Sequence, residues 1–163
     1  NPLNTESLDQ IYFPMDLRNL FLFIVFFLTG CASYDTLRHG TFTMEVPTWE
    51  SQEIQEERGF TYGFTASNAD CLFNLSVSGS TPIQLAQPIF QRLRLMDPQS
   101  ILDYQIYETF ITLTYQLPDH HRGDIRIMRC PNTLTYVADY SCASSRYDLY
   151  ATTIRTSLES MTC

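Results

Sequence analysis

The chain has 163 residues, of which 44% are hydrophobic and 13% aromatic, and it carries a net charge of −8. That apolar content argues against disorder, and the length suits one domain with a substantial core. All ten basic residues are arginine, which excludes Schiff-base lysine chemistry and a P-loop, and the acidic balance makes nucleic acid an improbable partner.

The first 14 residues carry no motif and read as a non-native or over-extended start ahead of Met15. From Leu20 to Leu28 the chain is unbroken apolar. A membrane-crossing helix needs about 20 such residues, so the run is too short to span and matches the apolar region of a secretory signal. Arg18 supplies the thin positive flank. Leu28-Thr29-Gly30-Cys31 then resembles the lipobox of prokaryotic lipoproteins. That resemblance implies a signal peptide over 15–30, cleavage before Cys31, and a lipid on the Cys31 sulfur that ties the protein to the extracytoplasmic face of a membrane. Two or more acyl chains make such an anchor stable. Residues 31–40, with His39, are expected to form a flexible tether, and 41–163 a single domain.

Period-two patterning dominates that domain. Thr41–Pro47 places Phe42, Met44 and Val46 on one face, followed by the lone Trp49. The polar, acidic Ser51–Arg58, with Glu53, Glu56 and Glu57, is expected as a solvated loop or turn of helix. Gly59–Ala66 and Cys71–Ser78 read as a hairpin closed by Ser67-Asn68-Ala69-Asp70, with Cys71, Phe73, Leu75 and Val77 on one face. Thr81-Pro82-Ile83-Gln84 then announces a helix: an N-cap threonine, proline in the first turn and a capping-box glutamine. Ala86, Ile89, Phe90, Leu93 and Met96 continue it at helical spacing, with a kink or later start expected at Pro88.

Ser100–Phe110 reads as a strand, and Ile111, Leu113, Tyr115 and Leu117 alternate along another that Pro118 ends. Asp119–Gly123 is expected as a turn, Asp124–Cys130 as a strand, Pro131-Asn132 as a tight turn, and Thr133–Cys142 as the returning strand. Ser145 is the expected N-cap of a closing helix over Ser144–Met161. Tyr147, Tyr150, Ala151, Ile154, Leu158 and Met161 form its apolar stripe. Together these elements predict an α+β domain: an antiparallel sheet of about six to seven strands with two helices packed on it.

Four stretches carry a further resemblance: "FTMEVPTWE", the polar break after it, "TLTYVADYSCA", and a closing helix ending in "IRTSLES". Together they resemble the PsbP-like superfamily, which includes photosystem II PsbP proteins, Ran-binding Mog proteins and DcrB-type bacterial lipoproteins. The resemblance implies a PsbP-like sandwich and a non-enzymatic binding or assembly role. It assigns no functional residue. Where the family's closing helix carries Ser-Phe near its end, this chain has Thr156-Ser157-Leu158.

Beyond Cys31 there remain Cys71, Cys130, Cys142 and Cys163, an even set that suits two disulfides in an exported domain. Cys142 lies about 25 Å along the strand from the hairpin turn beside Cys130. The closing helix brings the C-terminus back toward that turn. Disulfides need Cα atoms within about 7 Å, so Cys130–Cys163 is favoured, with Cys71–Cys142 by elimination. There is no CxxC pair, so neither a metal site nor a cofactor is expected. His120 and His121 are the only concentration of catalytically competent side chains. They support the alternative of a small extracytoplasmic hydrolase or ligand-binding enzyme. The leading expectation is a lipid-anchored, non-catalytic protein with a protein partner.

Overall fold

The computed structural model describes residues 33–57 and 61–163 of the chain. The signal, the lipobox and Cys31 lie outside the described residues. The first described element was expected to be tether. Instead Tyr34–His39 forms strand β1, paired antiparallel with β2 (Phe42–Pro47) around Gly40 at φ +60. Phe42, Met44 and Val46 alternate as expected and are all buried. Their burial gives the hairpin a reason to order, and β1 follows by pairing to β2.

Seven further strands make one antiparallel sheet in the order β3-β4-β5-β9-β8-β7-β6. They are β3 (Ser51–Glu57), β4 (Thr61–Ser67), β5 (Cys71–Ser78), β6 (Ile101–Ile106), β7 (Phe110–Gln116), β8 (His121–Arg129) and β9 (Thr135–Ala143). The seven strands of this sheet agree with the six to seven expected of it; the β1–β2 hairpin brings the described residues to nine strands, of which β1 and β3 were not expected. The acidic β3 segment, expected as loop or helix, is the edge of the sheet and pairs with β4 over its whole length. An edge strand needs backbone partners on one side only and accepts charged side chains well. The β4–β5 turn is closed by Asn68, whose side-chain oxygen accepts from the backbone N–H groups of Asp70 and Cys71.

Helix α1 (Pro82–Met96) starts at the expected capping box: the Thr81 hydroxyl accepts from the Gln84 N–H, and the Gln84 side chain accepts from the Thr81 N–H. It continues through Pro88, so the later start expected there does not occur. Pro88 and Gln84 are both exposed, so water reaches the Gln84 carbonyl that the proline leaves without a donor. Helix α2 (Ser144–Glu159) follows β9 directly. Its N-cap is Ala143 and not Ser145, with no side-chain cap; the Ser144 N–H instead donates to the His120 carbonyl at 2.7 Å.

The two helices lie on opposite faces. Along β9, Tyr136, Ala138 and Tyr140 join one core with α2 and the β1–β2 hairpin, whereas Val137 joins the other with α1. That is the period-two alternation of a strand. In the first core Phe42 stacks on Tyr136 with ring centroids 3.9 Å apart, and Phe73 on Tyr140 at 4.3 Å. The buried Tyr140 hydroxyl bonds the Ser157 hydroxyl at 2.6 Å, and Ser157 in turn donates to the Glu45 carbonyl. This chain satisfies polar groups that would otherwise be costly inside a core. In the second core Ala86 and Leu93 of α1 cover Ile111, Leu113, Tyr115, Ile125 and Ile127.

The segment expected as the turn Asp119–Gly123 is a turn only to His120, which has φ 65; β8 begins at His121. Gly123 is a packing glycine and not a turn glycine. A Cβ there would overlap the Tyr115 ring and the Tyr140 carbonyl. The two pairings reasoned for the cysteines are at disulfide distance. Cys71 and Cys142 face each other across β5 and β9 with Cα atoms 4.1 Å apart, and Cys130 joins Cys163 at 5.6 Å. The tail before Cys163 is also held by a two-way backbone bridge between Thr162 and Thr43.

Candidate functional site

The histidines expected to carry any enzymatic alternative sit in the open. His121 Nδ1 lies 3.2 Å from Asp119 Oδ1, both side chains are about half exposed or more, and His120 is exposed at the turn. Neither lines any of the three grooves considered below. The four described cysteines are disulfide-bonded, so none offers a thiolate. Among the described residues there is no cluster of three or more His, Cys, Asp or Glu able to hold a metal ion, and no helix long and apolar enough to cross a membrane.

The surface that departs from an ordinary exterior lies around β6, the sheet edge opposite β3. Tyr104 is 50% exposed and Ile106 54%, and Leu102, Tyr107 and, on α1, Ile83 are also large and exposed. Between α1 and β6 runs an apolar groove of about 500 Å³, lined by Ile83, Ala86, Phe90, Tyr104, Ile106 and Ile111, with Arg94 at its side. Phe90 meets Tyr104 edge to face at 5.4 Å, which fixes the aromatic wall. Two features build this surface. The residues of β6 are almost all exposed because α1 covers mainly its inner neighbours and touches β6 itself only in part, through Phe90 against Tyr104. The β6 sequence ILDYQI also has no Lys, Arg or Pro and a single charge, Asp103, with a register irregularity confined to Ile101–Asp103, whereas β3 carries Glu53, Glu56 and Glu57. Sequence reasoning placed a strand here but missed its exposure. Leu102, Tyr104 and Ile106 alternate with Asp103 and Gln105 as in a half-buried strand, so the sequence carries no local signal of that exposure.

A second groove, of about 540 Å³, lies on the other face of β6–β8, beside α2. It is more polar. Asp124 stands at its floor, accepting from the Thr114 hydroxyl at 2.6 Å and from the Tyr147 hydroxyl. Burial, together with this carboxylate, holds the Tyr147 phenol well above its usual pKa. A third, smaller groove under the C-terminal half of α1 contains Asp139, a largely buried carboxylate that accepts from the Tyr115 hydroxyl at 3.0 Å. Burial raises the Asp139 pKa to about 6; the Tyr115 bond opposes this and the charge of Asp124 adds to it.

A sheet with one helix on each face and a capping hairpin is the PsbP-like α+β fold. The solution structure of cyanobacterial PsbP (CyanoP) from Synechocystis sp. PCC 6803 superposes with a TM-score of 0.58 at 12% identity, covering 82% of this chain and 94% of that one. A Pseudomonas aeruginosa protein of unknown function gives 0.45 at 12% identity over 80% of this chain and 96% of its own. The Ran-binding protein Mog1p of Saccharomyces cerevisiae gives 0.44 at 8% over 80% and 95%. No family model matches the sequence, and no curated protein does. At 12% identity the likeness to the CyanoP structure establishes the fold alone.

Proposed function

We propose that this is a non-catalytic binding or assembly protein, held by a lipid on Cys31 at the extracytoplasmic face of a membrane, that takes an extended segment of a protein partner onto β6. The observation that carries the binding role is the exposed, largely apolar β6 edge, regular from Asp103 to Ile106, beside an apolar groove. An added strand would bond the outward backbone groups of β6 and place alternate apolar side chains beside Tyr104 and Ile106. The net charge of −8 disfavours a second copy of this chain as occupant and favours a basic segment. Two disulfides support an oxidising compartment.

The docking surface is tested by hydrogen exchange with peptides alternating Val with Lys or Val with Glu. Protection of the β6 amides by the Val/Lys peptide, lost in Ile106→Arg, is expected. Binding at the β3 edge, or equal binding of both peptides, refutes the assignment. The anchor is tested by fractionating cells that express Cys31→Ala: release from the membrane is expected, and retention of correctly processed protein overturns it.

A further inference from the structure

Two arginines of the second groove make no direct ion pair, although Asp103, Asp124 and Glu159 share its lining. Arg122 and Arg126 lie on the same face of β8 as Asp124, and both are half-buried. The Arg122 guanidinium lies over the Tyr147 ring at 4.2 Å, and that of Arg126 over the Phe110 ring at 4.5 Å. Ring stacking fixes the plane of each guanidinium and leaves its edge to act as a fork. The Nε atoms of both are buried with no hydrogen-bond partner. Among the described residues no carboxylate lies within 4.0 Å of either; the ion pairs there are His121–Asp119 and Arg146–Asp70. Asp124, between them, is engaged by Thr114 and Tyr147. Burial also pulls the Arg126 pKa down, opposed by the charge of Glu159 at the end of α2. A half-desolvated cation normally has a partner, because an uncompensated charge away from water is costly. Arg155 of α2 adds a third cation to the same lining.

We propose that this groove binds a small molecule through an oxyanion, a carboxylate or a phosphoryl group, with Arg126 as the main anchor and Arg122 and Arg155 as flanking cations. Arginine forks match the two oxygens of either group, and charge-assisted bonds of this kind are the strong ones. The concave shape and a volume of about 540 Å³ fit a small molecule. Gln105, Thr112 and Thr114 line the same space and offer polar partners to the rest of the ligand. The site lies on the sheet face opposite α1, so it is separate from the proposed β6 docking groove.

Citrate and inorganic phosphate are the probes, titrated at constant ionic strength against chloride and followed by amide shifts in two-dimensional NMR. Saturable binding of at least one is expected, with shifts confined to β7, β8 and α2. Citrate alone assigns a carboxylate, and phosphate alone a phosphoryl group. Arg126→Gln should weaken binding about tenfold or more. Arg126→Lys, which keeps the charge and loses the fork, should also weaken it. Arg92→Gln, on α1, should leave it unchanged. No saturation of either probe up to about 10 mM overturns the proposal. So does undiminished binding in folded Arg126→Gln or, if that variant does not fold, in Arg126→Lys; an equal loss in Arg92→Gln also overturns it.

Discussion

Asp139→Asn tests the electrostatics of the α1 core most directly. An unfolded aspartate titrates at about 3.9, and burial lifts Asp139 to about 6 in the folded chain. Between these values the folded state holds a proton that the unfolded state has lost, so stability falls as pH rises. By about pH 3 both states are protonated and the penalty vanishes; at pH 4 only about 0.5 kcal/mol of it remains. Above about pH 6.5 it is fully present and amounts to at most about 3 kcal/mol. Water reaching the partly open groove reduces this to about 1–3 kcal/mol. Asparagine keeps an oxygen for the Tyr115 hydroxyl and carries no charge. The variant should therefore match the parent near pH 3 and exceed it by about 1–3 kcal/mol at pH 7.5. Urea unfolding with the disulfides intact, run at several pH values on both proteins, gives the difference curve. Carboxylates common to both proteins cancel in it. A difference that stays flat from pH 3 to 7.5, or an Asp139 carboxyl that titrates near 4 by NMR, refutes the assignment.

Gly123→Ala should cost at least about 2–3 kcal/mol, because the added methyl overlaps a backbone carbonyl that cannot rotate away; a midpoint in urea unchanged from the parent would contradict this. Replacing both Cys71 and Cys142 by Ala should cost about 4 kcal/mol, since that bridge closes a loop with a sequence separation of 71. Replacing Cys130 and Cys163 should cost somewhat less, for a separation of 33, and thermal unfolding of the two variants ranks them.

Much of the domain's secondary structure was legible because its signals are local. The capping box at Thr81–Gln84 closes within one turn of helix. The alternation of Cys71, Phe73, Leu75 and Val77 marks β5, and the apolar stripe from Tyr147 to Met161 marks α2; both follow from backbone geometry alone. Class, helix positions and the face each element buries follow from such patterns. The β6 surface and the arginine groove were not legible, because exposure depends on how far a helix from elsewhere in the chain reaches across the sheet.

The amino-acid sequence by itself determined an α+β domain, the turns at Asn68 and Pro131, and which side of most strands is apolar. Tertiary structure decided that Tyr34–His39 and Ser51–Glu57 are strands, since each is ordered by the neighbour it pairs with. It also decided that Gly123 serves the Tyr115 ring and not a turn. Lastly, it left Arg122 and Arg126 half-buried in a groove where no carboxylate lies within 4.0 Å of either. Pairing, close approach and counter-ion supply all join residues distant along the chain, and periodicity within one segment carries no record of them.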